Sequence, residues 1–154
     1  MDVHPLANLT QAVRKFGIVK HLKRQMFLSE LVGAMVKSRS VIFSELADKI
    51  EREALPSSIE RRIQDFFQKV EFDYEKLLLL LVCFIPHEQV VLSIDRTEWD
   101  RGSKQYNILC VIASIGKMGV PLYFEMLDNK SGNSNSEDCI KIIKQVIRVL
   151  GAGA

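Results

Sequence analysis

The spacing of apolar residues changes once along this chain, and that change constrains its fold more than any single motif. Up to residue 86 the apolar side chains recur every three or four positions, as on one face of a helix. From Gln89 on they fall in short β-branched runs separated by turn residues. Helices followed by strands indicate an α+β protein, with a helical region over 1–86 and a β region over 87–154. A length of 154 residues suits one ordinary domain or two small ones. Apolar content of 47% and a net charge of only +2 exclude a disordered chain. The longest apolar run, Leu77 to Pro86, is about half of what a membrane span needs. The first 25 residues are polar and basic, unlike a secretory signal, so a soluble intracellular protein is expected.

In the helical region, Leu28, Leu31, Val32 and Met35 define a first amphipathic segment, with Ser29 and Glu30 as its start. A polar break over Lys37-Ser38-Arg39-Ser40 precedes a second segment, Val41 to Ile50, with core positions Phe43, Leu46, Ala47 and Ile50. Ser57-Ser58-Ile59-Glu60, just after Pro56, has the form of a capping box. The helix behind it places Ile59, Ile63, Phe66, Phe67 and Val70 on one side, and Arg61, Arg62, Gln64, Gln68 and Lys69 on the other. A short helix, a turn and a helix with an outward Arg/Arg/Gln face is what a helix-turn-helix requires. Arg is suited to guanine and Gln to adenine. The candidate DNA contacts are Arg39, Ser57, Ser58, Arg61, Arg62 and Gln64. Residues 1–24 add five basic side chains against Asp2 alone, which is compatible with phosphate contacts, although on charge alone a solvated helix face is the favoured reading.

In the β region, Val90 to Ile94, Tyr106 to Ile115 and Val120 to Leu127 read as three strands, with Pro121 near the start of the third. Asp100 to Lys104 and Gly116-Lys117-Met118-Gly119 read as the turns between them, which makes an antiparallel meander. Asp128 to Asn135 is a polar loop. A last helix is expected after Ser136, with Ile140, Ile143, Ile147 and Leu150 facing the core. Cys83, Cys110 and Cys139 lack CxxC spacing and read as small buried hydrophobes. The three histidines show no metal-ligand spacing and read as ordinary polar positions.

Asp95 stands out chemically, because it ends an apolar strand where a charge needs a partner or a cation. A carboxylate there can hold Mg²⁺, which takes one or two carboxylates plus water and substrate oxygens. If the strand continues, Asp95, Thr97 and Trp99 share one face and Arg96 and Glu98 the other, so Glu98 is a poor second ligand. A capped strand end with a local salt bridge accounts for the same residues.

The stretch Leu92-Ser93-Ile94-Asp95-Arg96-Thr97-Glu98-Trp99, followed by Asn107-Ile108-Leu109 and Gly119-Val120-Pro121-Leu122, resembles insertion-sequence transposases of the DDE class. The likeness continues through Asn129-Lys130-Ser131-Gly132-Asn133-Ser134-Asn135-Ser136. Upstream, Phe43 to Ala47 and Arg61 to Phe67 are similar to the family's DNA-binding segment. The resemblance spans roughly residues 25–148. It implies a ribonuclease-H-like domain behind a helical DNA-binding region, with three carboxylates holding two Mg²⁺ or Mn²⁺ ions for strand cleavage and transfer. Asp95 matches the first carboxylate, with Arg96 and Thr97 as supporting residues. The other two fall beyond residue 154, so the resemblance implies a truncated catalytic domain of three strands and one helix, incompetent by itself. It further implies double-stranded transposon-end DNA as partner, self-association or pairing with a full-length transposase, and a bacterial cytoplasmic, nucleoid-associated location. A non-catalytic DNA-binding regulator of transposition is the alternative.

Overall fold

The helical spacing of the first half is realised as five helices: α1 (Pro5–Phe16), α2 (Leu22–Ser38), α3 (Phe43–Ala47), α4 (Pro56–Lys69) and α5 (Tyr74–Val82). Strands β1 (Val91–Arg101), β2 (Lys104–Ile115) and β3 (Met118–Leu127) follow, and then α6 (Ser136–Gly151). The structure is a computed structural model that describes residues 5–85, 91–127 and 136–151. The protein is thus a mixed α and β chain, with six helices and one three-stranded antiparallel sheet among the described residues. The loop expected over Asp128 to Asn135 lies outside them, and so does His87.

Two compact units divide the chain, Met1–Leu77 and Leu78–Ala154. The division falls inside α5 rather than at residue 86, because the apolar run beginning at Leu78 supplies core to the sheet.

In the first unit, Phe27, Leu31 and Ala34 of α2 pack with Leu46 and Ala47 of α3, and with Ile59, Ile63 and Phe66 of α4. Phe27 and Phe66 meet edge to face at 5.2 Å, a favoured ring geometry. Phe67, expected in this core, is exposed. Two start signals also differ from expectation. Helix α2 begins at Leu22, so Ser29 is buried in mid-helix, where its hydroxyl donates to the Gln25 carbonyl at 3.1 Å. Helix α4 begins at Pro56 behind Leu55, with no side-chain cap. The Ser58 and Ile59 amides donate to the Leu55 carbonyl at 2.9 and 3.1 Å. Proline's fixed φ initiates the helix, which leaves Ser57 and Ser58 in its exposed first turn instead of a capping box. Asp73 performs the capping that the sequence placed elsewhere: Oδ1 accepts from the Lys76 amide at 3.1 Å at the start of α5. Its own N–H donates to the Ile18 carbonyl at 2.8 Å, beside a bridge between Val19 and Phe72.

In the second unit, the sheet order is β1-β2-β3, so β1 is an edge strand of the described sheet. Strand β1 runs through the polar group and ends at Arg101, well past Ile94. The Lys104–Arg101 pairing closes the hairpin around Gly102, at φ 62°, a left-handed value suited to glycine. Gly116 does the same between β2 and β3 at φ 58°. Strand β3 starts at Met118, which places Pro121 inside it. The register shifts there: Val111 opposes Tyr123 while Ile112 opposes Pro121, leaving Leu122 as the extra residue of a bulge. One sheet face packs Leu109, Val111, Ala113 and Leu122 against Leu78 of α5 and against Ile142, Val146 and Val149 of α6. The core row of α6 therefore differs from the expected one at Ile140 and Ile147, which are more than half exposed, while Leu150 packs against the core as expected. Both rows are apolar, and sequence spacing alone does not choose between them. No cysteine is fully buried either: Cys83 is exposed, while Cys110 and Cys139 are half-buried.

Candidate functional site

On α4 the buried row Ile59, Ile63 and Phe66 turns the neighbouring positions outward, but in two different directions. Ser57, Arg61 and Gln64 share a shallow groove with Glu60, Asp65 and Gln68, where two acids stand against one cation. Arg62 lies on the other side. Its guanidinium sits 4.6 Å above the Phe27 ring, and it joins Lys23 and Arg24 of α2 and Lys69 of α4 around a second groove of about 250 Å³. Phe27, Phe66 and Val70 form the apolar part of that lining, and Asp65 is its one acid. Lys69 meets Asp65 at 2.7 Å, and this hydrogen bond, with the charges of Lys69 and Arg61, holds the Asp65 carboxyl below the usual range.

The six residues expected to contact DNA are therefore not one surface. Arg61, Ser57 and Gln64 stay together, and Arg62 separates from them. Arg39 adopts a left-handed conformation at the end of α2, where its amide donates to the Met35 carbonyl at 2.9 Å. It lies about 22 Å along that helix from Arg24, at 1.5 Å per residue. Ser58 is exposed and lines neither groove. Sequence reasoning placed Lys69 on the outward side of α4 with Arg62, and Lys23 and Arg24 in a basic arm, but did not bring the two pairs together. Part of the signal was present, because Arg62 and Lys69 are seven apart on one helix and so share a face.

In the second unit Asp95 occupies the middle of β1 and is exposed. Its register partner on β2 is Cys110, which in turn opposes Phe124 on β3. Burial pushes the Cys110 thiol up, and the Asp95 charge pushes it further. Thr97 and Trp99 follow on the Asp95 face, opposite Ile108 and Tyr106. Trp99 is 64% exposed and so does not pack into a core. Arg96 and Glu98 take the other face, as the alternation required. The Arg96 guanidinium donates to Glu98 Oε1 at 2.7 Å and to Oδ1 of the buried Asn107 at 3.2 Å. Arg96 therefore orders the covered face, and Thr97 alone of the two expected supporting residues stands beside Asp95.

The donor set around Asp95 does not fit a pair of hard divalent ions. Among the described residues no three His, Cys, Asp or Glu side chains converge. The cross-strand neighbour of Asp95 is a thiol held in its neutral form, a soft donor where Mg²⁺ requires oxygen. Among the described residues no helix is long and apolar enough to cross a membrane. Comparisons with protein-family models, with curated proteins and with solved structures returned no match.

Proposed function

We propose that this chain is the DNA-binding and leading catalytic portion of a DDE-class transposase. Its helical unit engages the double-stranded ends of an insertion element, and its sheet contributes the first of three carboxylates. The observation that carries the reading is the setting of Asp95. It lies exposed in the first strand of an antiparallel meander whose opposite face is covered by the helix that follows, within an Asp-Arg-Thr-Glu-Trp string. That order of elements is the one a ribonuclease-H-like domain would begin with. The location that goes with it is the bacterial cytoplasm, at the nucleoid when DNA is bound.

Catalysis of this kind uses Mg²⁺ or Mn²⁺ on several carboxylates. Asp95 alone does not supply that set, so we assign no strand-cleavage step to this chain by itself. The test is plasmid nicking with Mn²⁺, beside a mobility shift with duplex DNA. We expect a shift that weakens with salt and no nicking. Nicking that is lost in Asp95→Ala would overturn the assignment of incompetence, and absence of any shift at low salt would overturn the DNA-binding reading. That no further carboxylates converge with Asp95 among the described residues also favours a second reading, a non-catalytic regulator that occupies element ends or pairs with intact transposase. Its mark would be inhibition of an intact transposase in proportion to the amount of this chain added.

A further inference from the structure

Six basic side chains among the described residues form ion pairs with acids, Lys69 with Asp65 among them. Lys37 meets Glu51, Arg52 meets Glu30, Lys76 meets Asp73, Arg96 meets Glu98, and Lys141 meets Glu125. The groove between α2 and α4 gathers basic side chains from two helices in one place. Lys23, Arg24 and Arg62 line it together and make no ion pair among the described residues. A fourth cation, Lys69, lines it as well, and the single acid there, Asp65, is already neutralised by Lys69.

Three like charges around one groove repel each other, and the fold adds to the cost. Lys23 and Arg24 stand in the first turn of α2, the positive end of the helix dipole, where anionic side chains stabilise and cations do not. No acidic residue occupies that turn. Arg62 is also held in place by its position over Phe27, so its planar fork is pre-ordered and loses less freedom when it grips a tetrahedral anion. An unpaired, pre-oriented set of cations from two helices is matched by an anion with several oxygens and an extended, repeating charge.

We infer that this groove holds the sugar-phosphate backbone of duplex DNA, with Lys23, Arg24 and Arg62 on phosphate oxygens. The inference rests on the DNA-binding function proposed for the helical unit and adds to it where the phosphates lie. The groove on the other side of α4 does not serve, because with Asp65 paired to Lys69 its remaining acid, Glu60, balances its one cation, Arg61. Phosphate contacts position the protein and carry no sequence information.

The test measures binding of the full 154-residue chain to a random-sequence duplex over a range of salt. Three proteins are compared: the unaltered chain, the triple variant Lys23→Gln, Arg24→Gln, Arg62→Gln, and a charge-matched control, Lys104→Gln, Lys117→Gln, Lys144→Gln. A double variant, Lys23→Gln with Arg24→Gln, keeps Arg62 on Phe27 and guards against loss of fold. At a slope of about 0.9 per phosphate, removing one phosphate-binding cation weakens binding by about eight-fold at about 0.1 M salt. We expect about sixty-fold for the double variant, about five-hundred-fold for the triple, and a salt slope shallower by about two and about three respectively. If the double and triple variants bind within about three-fold of the charge-matched control, the groove is not the phosphate site, although DNA binding stands. If the unaltered chain binds no duplex, the DNA-binding reading and the groove fall together.

Discussion

Ile63→Ala is the perturbation that best measures how the first unit is held together. Ile63 is fully buried, in the same cluster as Phe27, Leu31, Leu46 and Phe66. The substitution removes three carbons, worth about 2.4 kcal/mol at about 0.8 kcal/mol each. A cavity term adds to this, because Phe27 and Phe66 are locked edge to face and cannot both move into the space. The total loss should fall between about 2.5 and 5 kcal/mol. A unit of this size has a stability of only about 4 to 12 kcal/mol, so a large share disappears. The neighbouring Arg62→Ala removes a contact over the Phe27 ring at an exposed site, and should cost no more than about 1 kcal/mol. Urea unfolding followed by far-ultraviolet circular dichroism reports the helices, five of which lie wholly or partly in the first unit. The single tryptophan, Trp99, lies in β1, so its fluorescence reports the second unit in the same samples. A circular dichroism midpoint that moves by the equivalent of less than about 1 kcal/mol for Ile63→Ala, with unchanged slope, would refute the core assignment.

Further consequences concern a cap, a buried amide and an edge. Asp73→Ala removes the cap of α5 and should cost about 1 kcal/mol. The Lys76 amide, opposed by burial and helped by the Lys76 ammonium, holds the Asp73 carboxyl below its ordinary 3.8. Its contribution is therefore complete above that value and is lost as pH falls through the lower folded value, and a pH series of urea midpoints should show this difference from Asp73→Ala closing only in acid. Asn107→Leu should destabilise the second unit by about 1 to 3 kcal/mol, read from Trp99 fluorescence, since it withdraws an acceptor from Arg96 at a buried site. An unchanged urea midpoint by fluorescence would mean that Glu98 alone satisfies Arg96. The β1 edge carries exposed Val91, Leu92 and Trp99, and such an edge favours strand-to-strand association. The elution volume of the chain should depend on concentration, and Val91→Lys with Trp99→Lys should abolish that dependence.

The strands were legible because β-branched runs and glycine turns act locally, and all three appear with the expected antiparallel order. Their lengths were not. Strand β1 continues from Ile94 to Arg101 because β2 pairs with it residue for residue, and Arg96 bonds both Glu98 and Asn107 on the covered face. A polar string reads as a turn until its cross-strand partners are known. Helix α6 shows the opposite ambiguity. Its rows 142/146/149 and 140/143/147 are both apolar, and only packing on β2 and β3 decides that the first is buried. Pro121 was placed at a strand start by its missing N–H, whereas the bulge at Leu122 lets it sit within β3.

The candidate nucleic-acid surface was hidden by an error of helix boundary more than by distance in the chain. With Ser29 taken as the start of α2, Lys23 and Arg24 precede the helix and belong to a basic arm for which a solvated face is a simpler account than phosphate contacts. With the start at Leu22, the same two cations occupy the positive end of a helix that has no acid in its first turn. That is a conflict between local sequence and local structure, and such conflicts concentrate where a fold gives up stability for a ligand. Arg62 and Lys69 then face the conflict from α4 instead of relieving it, while the only acid in the groove is taken by Lys69. Two cations on one helix were readable as a face, but their meeting with two more from a helix about forty residues upstream required α2 and α4 to pack through Phe27 and Phe66. The aromatic pair that builds the core therefore also assembles the charge, so Phe27→Leu, which keeps the core apolar, should weaken duplex binding by loosening Arg62 while leaving the net charge of the groove unchanged.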